Sequence, residues 1–187
     1  MRPDARPSGP ELPTGARLFF ALWPDRESAR HLRQQAEQCA QRLGGRPMAE
    51  STLHLTLAFL GEVAGERLAT LHTLVERVET QPFRLRLDCL GFWPHNRIVW
   101  AGCKRMDPAL EALATRLADV LREGGYSLEK RRFVPHLTLL RKVPSDPVEL
   151  PAMMPVEWDC ERFVLVGSEL KPQGPGYREI AGWPLLH

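Results

Sequence analysis

The chain has 187 residues, 43% of them hydrophobic, and a formal net charge of +2 at pH 7. This length suits one domain, or two small lobes that share a core, and the apolar fraction is sufficient for that core. The near-neutral charge excludes a polycationic protein that coats nucleic acid, but it is compatible with a small acidic ligand bound at a local site. No apolar run reaches the length of about 18 residues that a membrane span requires, so no membrane partner is expected.

The cysteine pattern and the N-terminus indicate a cytoplasmic protein. The scattered cysteines form no C-x-x-C pair and favour reduced thiols over a disulfide framework or a zinc site. They are Cys39, Cys89, Cys103 and Cys160. Residues 1–16 contain four prolines and lack the hydrophobic segment of a signal peptide, so they are predicted to be a disordered, Pro-rich tail.

The first part of the chain predicts a strand, a helix and a second strand. The apolar segment Arg17–Trp23 is typical of a buried strand, and Pro24 ends it. Apolar residues then recur at steps of three and four over residues 25–43, which predicts a helix that Gly44-Gly45 ends. Leu53–Leu60 is predicted to be the next strand.

A helix and a hairpin follow. Apolar spacing over residues 68–78 predicts the helix. The alternation of apolar and polar residues in 83–93 predicts one strand with one solvent-exposed face. The segment Arg97–Gly102 comes after a turn-like Pro-His-Asn and is predicted to form a hairpin with that strand.

The second half repeats this order. Asp107 is predicted to cap a helix with Pro108 in its first turn, and Gly124-Gly125 to end it. Phe133–Leu140 is predicted to be a strand. A proline-rich loop at Val143–Pro155 and two closing strands, 161–170 and 176–185, around a turn at Pro172–Gly176 complete the chain. Each half therefore places a strand after a helix that ends in Gly-Gly, as in a duplicated α+β unit.

These two strands share the sequence His-Leu-Thr-Leu, at His54–Leu57 and His136–Leu139. Alternate side chains of a strand share a face, so each motif offers an imidazole and a hydroxyl about 7 Å apart, with the leucines facing a core. Histidine can give or take a proton near neutral pH, and a hydroxyl can hold a phosphate oxygen. A single His-x-Thr is usually structural, whereas two copies in matching context favour phosphodiester chemistry that requires no metal.

The paired motifs resemble those of the 2H phosphoesterase superfamily, and most closely its bacterial RNA 2′,3′-cyclic phosphodiesterase branch, long called 2′-5′ RNA ligases. The likeness runs from RLFFALWPD at Arg17, through STLHLTLAFLGEV and FVPHLTLLR, to WPL at Trp183. It implies an α+β fold of duplicated β-α-β-α-β units whose antiparallel sheets face a central cleft. Residues 17–187 would then form a single bilobal domain.

The resemblance also implies a reaction. The protein would be a hydrolase that opens RNA 2′,3′-cyclic phosphate ends to 2′-phosphomonoesters, and the reverse reaction would be 2′-5′ RNA ligation. His54 would be the proton donor to the leaving 3′ oxygen, and His136 the proton acceptor that activates water. The phosphate would be bound by Thr56, Thr138 and Arg141. The expected partner is RNA with a 2′,3′-cyclic phosphate terminus, tRNA fragments included, and a monomer without cofactor or metal is expected.

Two other functions stay open on the residues alone: a phosphoesterase that acts on a small cyclic nucleotide phosphate, and an RNA-end binding protein without turnover. Basic residues flank the second motif: Lys130, Arg131, Arg132 and Lys142. They are either a basic rim that attracts the RNA backbone or solvated charges beside a buried strand. Several aromatic side chains either stack on a terminal base or pack in the core, namely Phe20, Trp23, Trp93, Trp100 and Phe133. No role is expected for His31, His72, His95 or His187.

Overall fold

A computed structural model of the chain describes residues 17–130, 132–171 and 174–186. The predicted tail at residues 1–16, Arg131, His187 and part of the turn at Pro172–Gly176 lie outside these residues. In chain order the strands are β1 (Arg17–Leu22), β2 (Arg46–Pro47), β3 (Leu55–Glu62), β4 (Phe83–Leu87), β5 (Cys89–Trp93), β6 (Ile98–Gly102), β7 (Leu137–Arg141), β8 (Val156–Cys160), β9 (Arg162–Lys171) and β10 (Gly174–Pro184). The α-helices are α1 (Arg26–Leu43), α2 (Leu68–Val75) and α3 (Pro108–Glu123).

The two long helices begin and end where the sequence predicts, because the caps are local. The Asp25 carboxylate accepts a hydrogen bond of 2.8 Å from the Ser28 N–H and caps α1, and Gly44 ends this helix at a φ of 70°. Asp107 caps α3 by accepting from two N–H groups of its first turn, with Pro108 as the first helical residue.

The strands pair antiparallel, which confirms the predicted α+β class. The larger sheet has the order β10-β9-β1-β3-β7-β6-β5, with β2 also on β7, and β4 pairs with β8 in a separate two-stranded sheet. The two halves of the larger sheet meet between β3 and β7, where Leu55 and Leu137 form the registered pair.

Both motif strands begin later than predicted, directly after the histidine. The strand predicted at Leu53–Leu60 is β3, which starts at Leu55, because a 3₁₀ helix at Glu50–Thr52 leads into it. The strand predicted at Phe133–Leu140 is β7, which starts at Leu137. Pro135 has no N–H to donate to a strand ladder, so the segment before His136 cannot pair regularly.

The single strand predicted over residues 83–93 is wrong, because Asp88 divides it into β4 and β5. The Asp88 carboxylate accepts from the Lys104 N–H at 2.8 Å, and β4 and β5 then enter different sheets. The predicted hairpin is confirmed as β5 with β6. Strand β8 was missed, although its alternation of buried Val156, Trp158 and Cys160 with Glu157 and Asp159 is a strand pattern.

Each motif strand is supported by the long helix of the other half. Helix α1 packs against β7 and β8, and α3 packs against β3. The buried faces of both helices belong to one continuous core, which also holds Leu55 and Leu137. None of the helices in the described ranges is long and apolar enough to cross a membrane.

The four cysteines are unpaired thiols. Burial raises the pKa of Cys103 to about 11 and the pKa of Cys160 to about 12, so these two thiols stay protonated at neutral pH. They behave as small apolar side chains, as expected of scattered cysteines in a core.

Candidate active site

The antiparallel register between β3 and β7 decides which motif residues face each other. Leu55 lies opposite Leu137, so a step of one residue in each direction puts His54 opposite Thr138 and Thr56 opposite His136. Each imidazole therefore lies across from the hydroxyl of the other motif. The duplicated sequence produces a site with approximate two-fold symmetry at the seam of the sheet.

Each motif strand also contains a β-bulge at its second leucine. Consecutive residues of β1 pair with Thr56 and Ala58, and consecutive residues of β6 pair with Thr138 and Leu140. The residues skipped are Leu57 and Leu139, both of which are buried. A bulge bends its strand and increases the local twist, so both strands turn at the same distance from their histidine.

The structure brings the predicted site residues together. One cavity of ≈ 250 Å³ is lined by His54, Thr56, His136, Thr138 and Arg141. Its remaining wall consists of Met48, Thr52, Trp93, Asn96 and Ile98. Among the described residues neither threonine hydroxyl has a hydrogen-bond partner, so both are available to a ligand.

Both imidazoles are held by the same contact. Nδ1 of His54 lies 2.8 Å from the carbonyl oxygen of Thr52, and Nδ1 of His136 lies 2.8 Å from that of Val134. A carbonyl only accepts, so in each ring Nδ1–H is the donor and the neutral tautomer carries its lone pair on Nε2. The two rings thus present the same atom for proton transfer.

Aromatic side chains surround the His54 ring. Trp23 stacks on it with centroids 5.1 Å apart and an interplanar angle of 22°, and Phe19 lies at 4.9 Å. The Tyr177 ring meets it edge-on at 5.1 Å. These rings cover much of the imidazole, which remains half-buried at the cavity wall, and their faces can stabilise its cationic form.

The pKa of His54 reflects this enclosure. It is lowered to about 4, chiefly by burial; the hydrogen bond to the Thr52 carbonyl opposes this shift, and the positive charges of Arg141 and His136 contribute to it. In the ligand-free protein at neutral pH, His54 is therefore the neutral imidazole. A bound anion would shift this balance towards the protonated form.

The surroundings of His136 are different. Trp93 meets its ring edge-on at 4.5 Å, and Trp93 in turn lies 5.4 Å from Trp100. The Trp100 indole lies across Gly91, where any Cβ would clash with the ring. Gly91 thus leaves room for the indole beside Thr138, with which Trp100 pairs in the sheet.

The sequence missed part of the site. Phe19 could have been found, since it alternates with Leu18 and Phe20 and so shares a strand face with Trp23. Tyr177 had no local signal, because the β9–β10 pairing with β1 brings it to His54. Of the stacking candidates, Phe20 is fully buried in the core, whereas Phe133 lines a groove beside the cavity.

The remaining histidines that the structure describes lie outside the cavity. His72 lies 3.3 Å from a Glu76 carboxylate oxygen, and His31 is exposed on α1. His95 lines the neighbouring groove. Within the described ranges, no group of three or more histidine, cysteine or carboxylate side chains is arranged to hold a metal ion.

Comparisons with known proteins place the chain in a family. A family model described as the 2′-5′ RNA ligase superfamily matches residues 23–171. The chain is 32% identical over 169 residues to an Escherichia coli protein named RNA 2′,3′-cyclic phosphodiesterase, covering 90% of this chain and 96% of that protein. A Thermus thermophilus protein of the same name is 34% identical, with 90% of each chain covered.

Solved structures support the same family assignment. E. coli LigT complexed with 3′-AMP is 32% identical, with a TM-score of 0.85 over 92% of this chain and 99% of that chain. A structure described as a phosphoesterase gives a TM-score of 0.86 at 32% identity, covering 92% of this chain and 99% of that one. The protein belongs to the 2′-5′ RNA ligase superfamily, and the resemblance drawn from its two motifs is confirmed.

Proposed function

We propose that this protein is an RNA 2′,3′-cyclic phosphodiesterase that uses no metal. The observation that carries the proposal is the convergence of two His-x-Thr motifs on one cavity, with both imidazoles held in the same tautomer. The name shared by its relatives from E. coli, T. thermophilus and Archaeoglobus fulgidus supports the substrate. Two proton-transfer groups and two hydroxyl donors suit hydrolysis of a phosphodiester.

In the proposed reaction, Nε2 of His136 takes a proton from a water molecule that attacks phosphorus. The bond from phosphorus to the 3′ oxygen breaks, and Nε2 of His54 gives a proton to that oxygen. The products are a 2′-phosphomonoester and a free 3′ hydroxyl, so water is consumed and the charge is conserved. Thr56 and Thr138 donate to the non-bridging oxygens, and Arg141 offsets their negative charge.

The electrostatics of His54 set a condition on this assignment. A proton donor must be protonated in the bound state, whereas burial keeps the pKa of His54 at about 4 in the ligand-free cavity. The anionic phosphate favours the imidazolium and offsets the charge of Arg141, so substrate binding raises this pKa. The opposite assignment, in which His54 takes the proton from water and His136 donates, agrees with a neutral His54 without this shift.

The experiment that tests the function is a product assay in EDTA. The purified protein is incubated with a short RNA that ends in a 2′,3′-cyclic phosphate, beside a cyclic mononucleotide, and the products are identified by phosphorus NMR. A 2′-phosphate that is lost in His54→Ala and His136→Ala but retained in His31→Ala supports the proposal. Turnover of the mononucleotide alone would favour a small cyclic phosphate, and dependence on a divalent ion would contradict the metal-free mechanism.

The proposal extends to the oligomeric state, the cellular location and the partners of the protein. Both motifs come from one chain, so the cavity is complete in a single copy, which supports a monomer that contains one bilobal domain over residues 17–187. Four unpaired thiols suit the cytoplasm. RNA ends, tRNA fragments among them, are the proposed partners, and 2′-5′ ligation is the reverse of the proposed step.

A further inference from the structure

A second, larger cavity adjoins the first. It has a volume of ≈ 670 Å³ and lies between the motif strand β3, helix α3 and the segment that leads into β7. It shares three lining residues with the candidate active site, namely Thr56, Trp93 and His136. We call this cavity the α3 groove; it opens directly beside the phosphate-binding residues.

The sizes of the two cavities suggest how they divide a substrate. Ligand pockets for whole organic molecules usually measure about 300–1,000 Å³. The site cavity, at ≈ 250 Å³, falls below that range and suits a phosphate group, so the rest of a nucleotide must extend out of it. The α3 groove falls within the range and begins where the site cavity ends.

Aromatic and apolar side chains are exposed along the α3 groove. The Phe59 side chain is 45% exposed, and its pairing with Phe19 places it on the strand face that carries the motif side chains. Val134 is 47% exposed, and Phe133 also lines the groove. Exposed rings beside a phosphate site are suited to stacking on nucleobases. Such stacking does not depend on the base sequence, because every base has a flat aromatic face.

The charges of the groove favour a polyanion. Lys130, Arg132 and Arg122 line it, against the single carboxylate of Glu129. Arg122 pairs with Asp119 at 3.0 Å, but within the described ranges Lys130 and Arg132 form no ion pair. Two uncompensated cations beside exposed rings form the pattern that single-stranded nucleic acid binds, with backbone phosphates on the cations and bases on the rings.

The floor of the groove consists of small side chains from α3. Ala114, Thr115 and Ala118 lie on one face of the helix, at spacings of one, three and four residues. Such residues let a ligand approach the helix closely without displacing a large side chain.

We propose that the α3 groove is a subsite for the nucleotides that precede the cyclic phosphate in an RNA chain. The inference rests on the proposed function and makes it more specific. A cyclic mononucleotide places its phosphate in the site cavity and extends out of it only by its own sugar and base, whereas an oligonucleotide reaches along the groove and gains stacking on Phe59 and phosphate contacts with Lys130 and Arg132. The enzyme therefore selects RNA ends over free cyclic nucleotides through residues that take no part in the chemistry.

The test compares two substrates in three variants. Values of kcat/KM are measured for a four-nucleotide RNA with a 2′,3′-cyclic phosphate and for the matching cyclic mononucleotide. The variants are Phe59→Ala, the double variant Lys130→Ala with Arg132→Ala, and a matched charge control, Lys104→Ala with Arg105→Ala. The control removes two exposed cations that do not line either cavity.

The expected result is a loss of roughly tenfold or more for the oligonucleotide in both groove variants, with the mononucleotide value within about twofold of wild type. The slope of log kcat/KM against log salt should also become shallower for the charge variant by about 0.7 per phosphate contact removed. Unchanged mononucleotide turnover shows that each variant is folded. Equal losses for the two substrates, or no loss for the oligonucleotide, would overturn the groove assignment.

The two proposals fail in different ways. If the wild-type protein turns over neither substrate, the proposed function is wrong. Binding of a fluorescent oligonucleotide with a 2′-phosphate end then tests the groove alone: weaker binding in both groove variants, and not in the control, supports it. Binding that none of the substitutions changes would overturn it.

Discussion

Leu55 and Leu137 lie opposite each other at the seam of the larger sheet, and neither is exposed to solvent. Because this pair fixes the register, each motif histidine faces the threonine of the other motif. The two histidines make the same Nδ1 contact with a carbonyl two residues earlier in the chain, and they differ in their aromatic neighbours. Aromatic rings enclose His54, whereas Trp93 meets His136 edge-on.

Both histidines are expected to be essential. His54→Ala and His136→Ala should each lower kcat/KM by on the order of 10²-fold or more, since proton transfer by a positioned group contributes about 10²–10⁴. Steady-state kinetics on a cyclic-phosphate RNA measures the loss, and His31→Ala, which removes an exposed histidine on α1, is the matched control. If the two histidines act as a unit, the double variant is scarcely worse than either single variant. Full activity in either one would rule out the paired mechanism.

A better leaving group should identify the proton donor. When sulfur replaces the leaving 3′ oxygen of the cyclic phosphate, departure no longer requires a proton. The loss in His54→Ala should then shrink by roughly tenfold or more, and the loss in His136→Ala should persist, since only the donor becomes dispensable. The comparison is the ratio of wild-type to variant rate on the two substrates. Rescue of His136→Ala instead would reverse the two assignments.

The pH dependence should report the enclosure of His54. The profile of kcat/KM reflects ionisations of the free enzyme, and activity is lost at low pH when both imidazoles are protonated. Because burial lowers the pKa of His54 to about 4, the acid limb should lie near pH 4, far below the ordinary value of 6.5. Trp23→Ala admits water to the ring and should move the limb upward, while Trp23→Phe, which retains a ring, should move it less. An acid limb near 6.5 in the wild-type protein would contradict the enclosure.

The same shift links stability to pH. The unfolded chain binds a proton at His54 below about pH 6.5, and the folded protein does so only near pH 4. The contribution of a neutral His54 is therefore fully present above pH 6.5 and is lost as the pH falls to 4, on the order of 3 kcal/mol in total. Denaturant unfolding at pH 7.5 and pH 4.5 measures this loss, and His54→Gln should lose less than wild type. An equal loss in the two proteins would assign the pH dependence to other groups.

The parts of the fold that depend on neighbouring residues were predictable from the sequence. The caps at Asp107 and Gly44 act within one turn, so their residue types identify the helix ends. The motif residues were also identifiable, because a repeated His-x-Thr pattern requires no knowledge of the fold. Their meeting in one cavity follows from duplication, which places equivalent strands in equivalent positions.

The rest depends on long-range pairing, which one sequence does not reveal. Residues 83–93 have the alternation of a single strand, yet β4 and β5 join different sheets because their partners lie elsewhere in the chain. Tyr177 reaches His54 only through the pairing of β10, β9 and β1. The exposed ring of Phe59 likewise follows from bulges in β3, which shift the face that each residue occupies.

The exchange of helical supports between the halves has a consequence during synthesis. The first motif is translated long before α3, the helix that packs behind its strand, and α1 is made long before β7, the strand that it supports. A nascent chain whose first half has left the ribosome therefore carries a complete His-x-Thr motif without the opposing wall of its cavity. A fragment that ends before His136 lacks both residues of the second motif, so it cannot form the complete cavity.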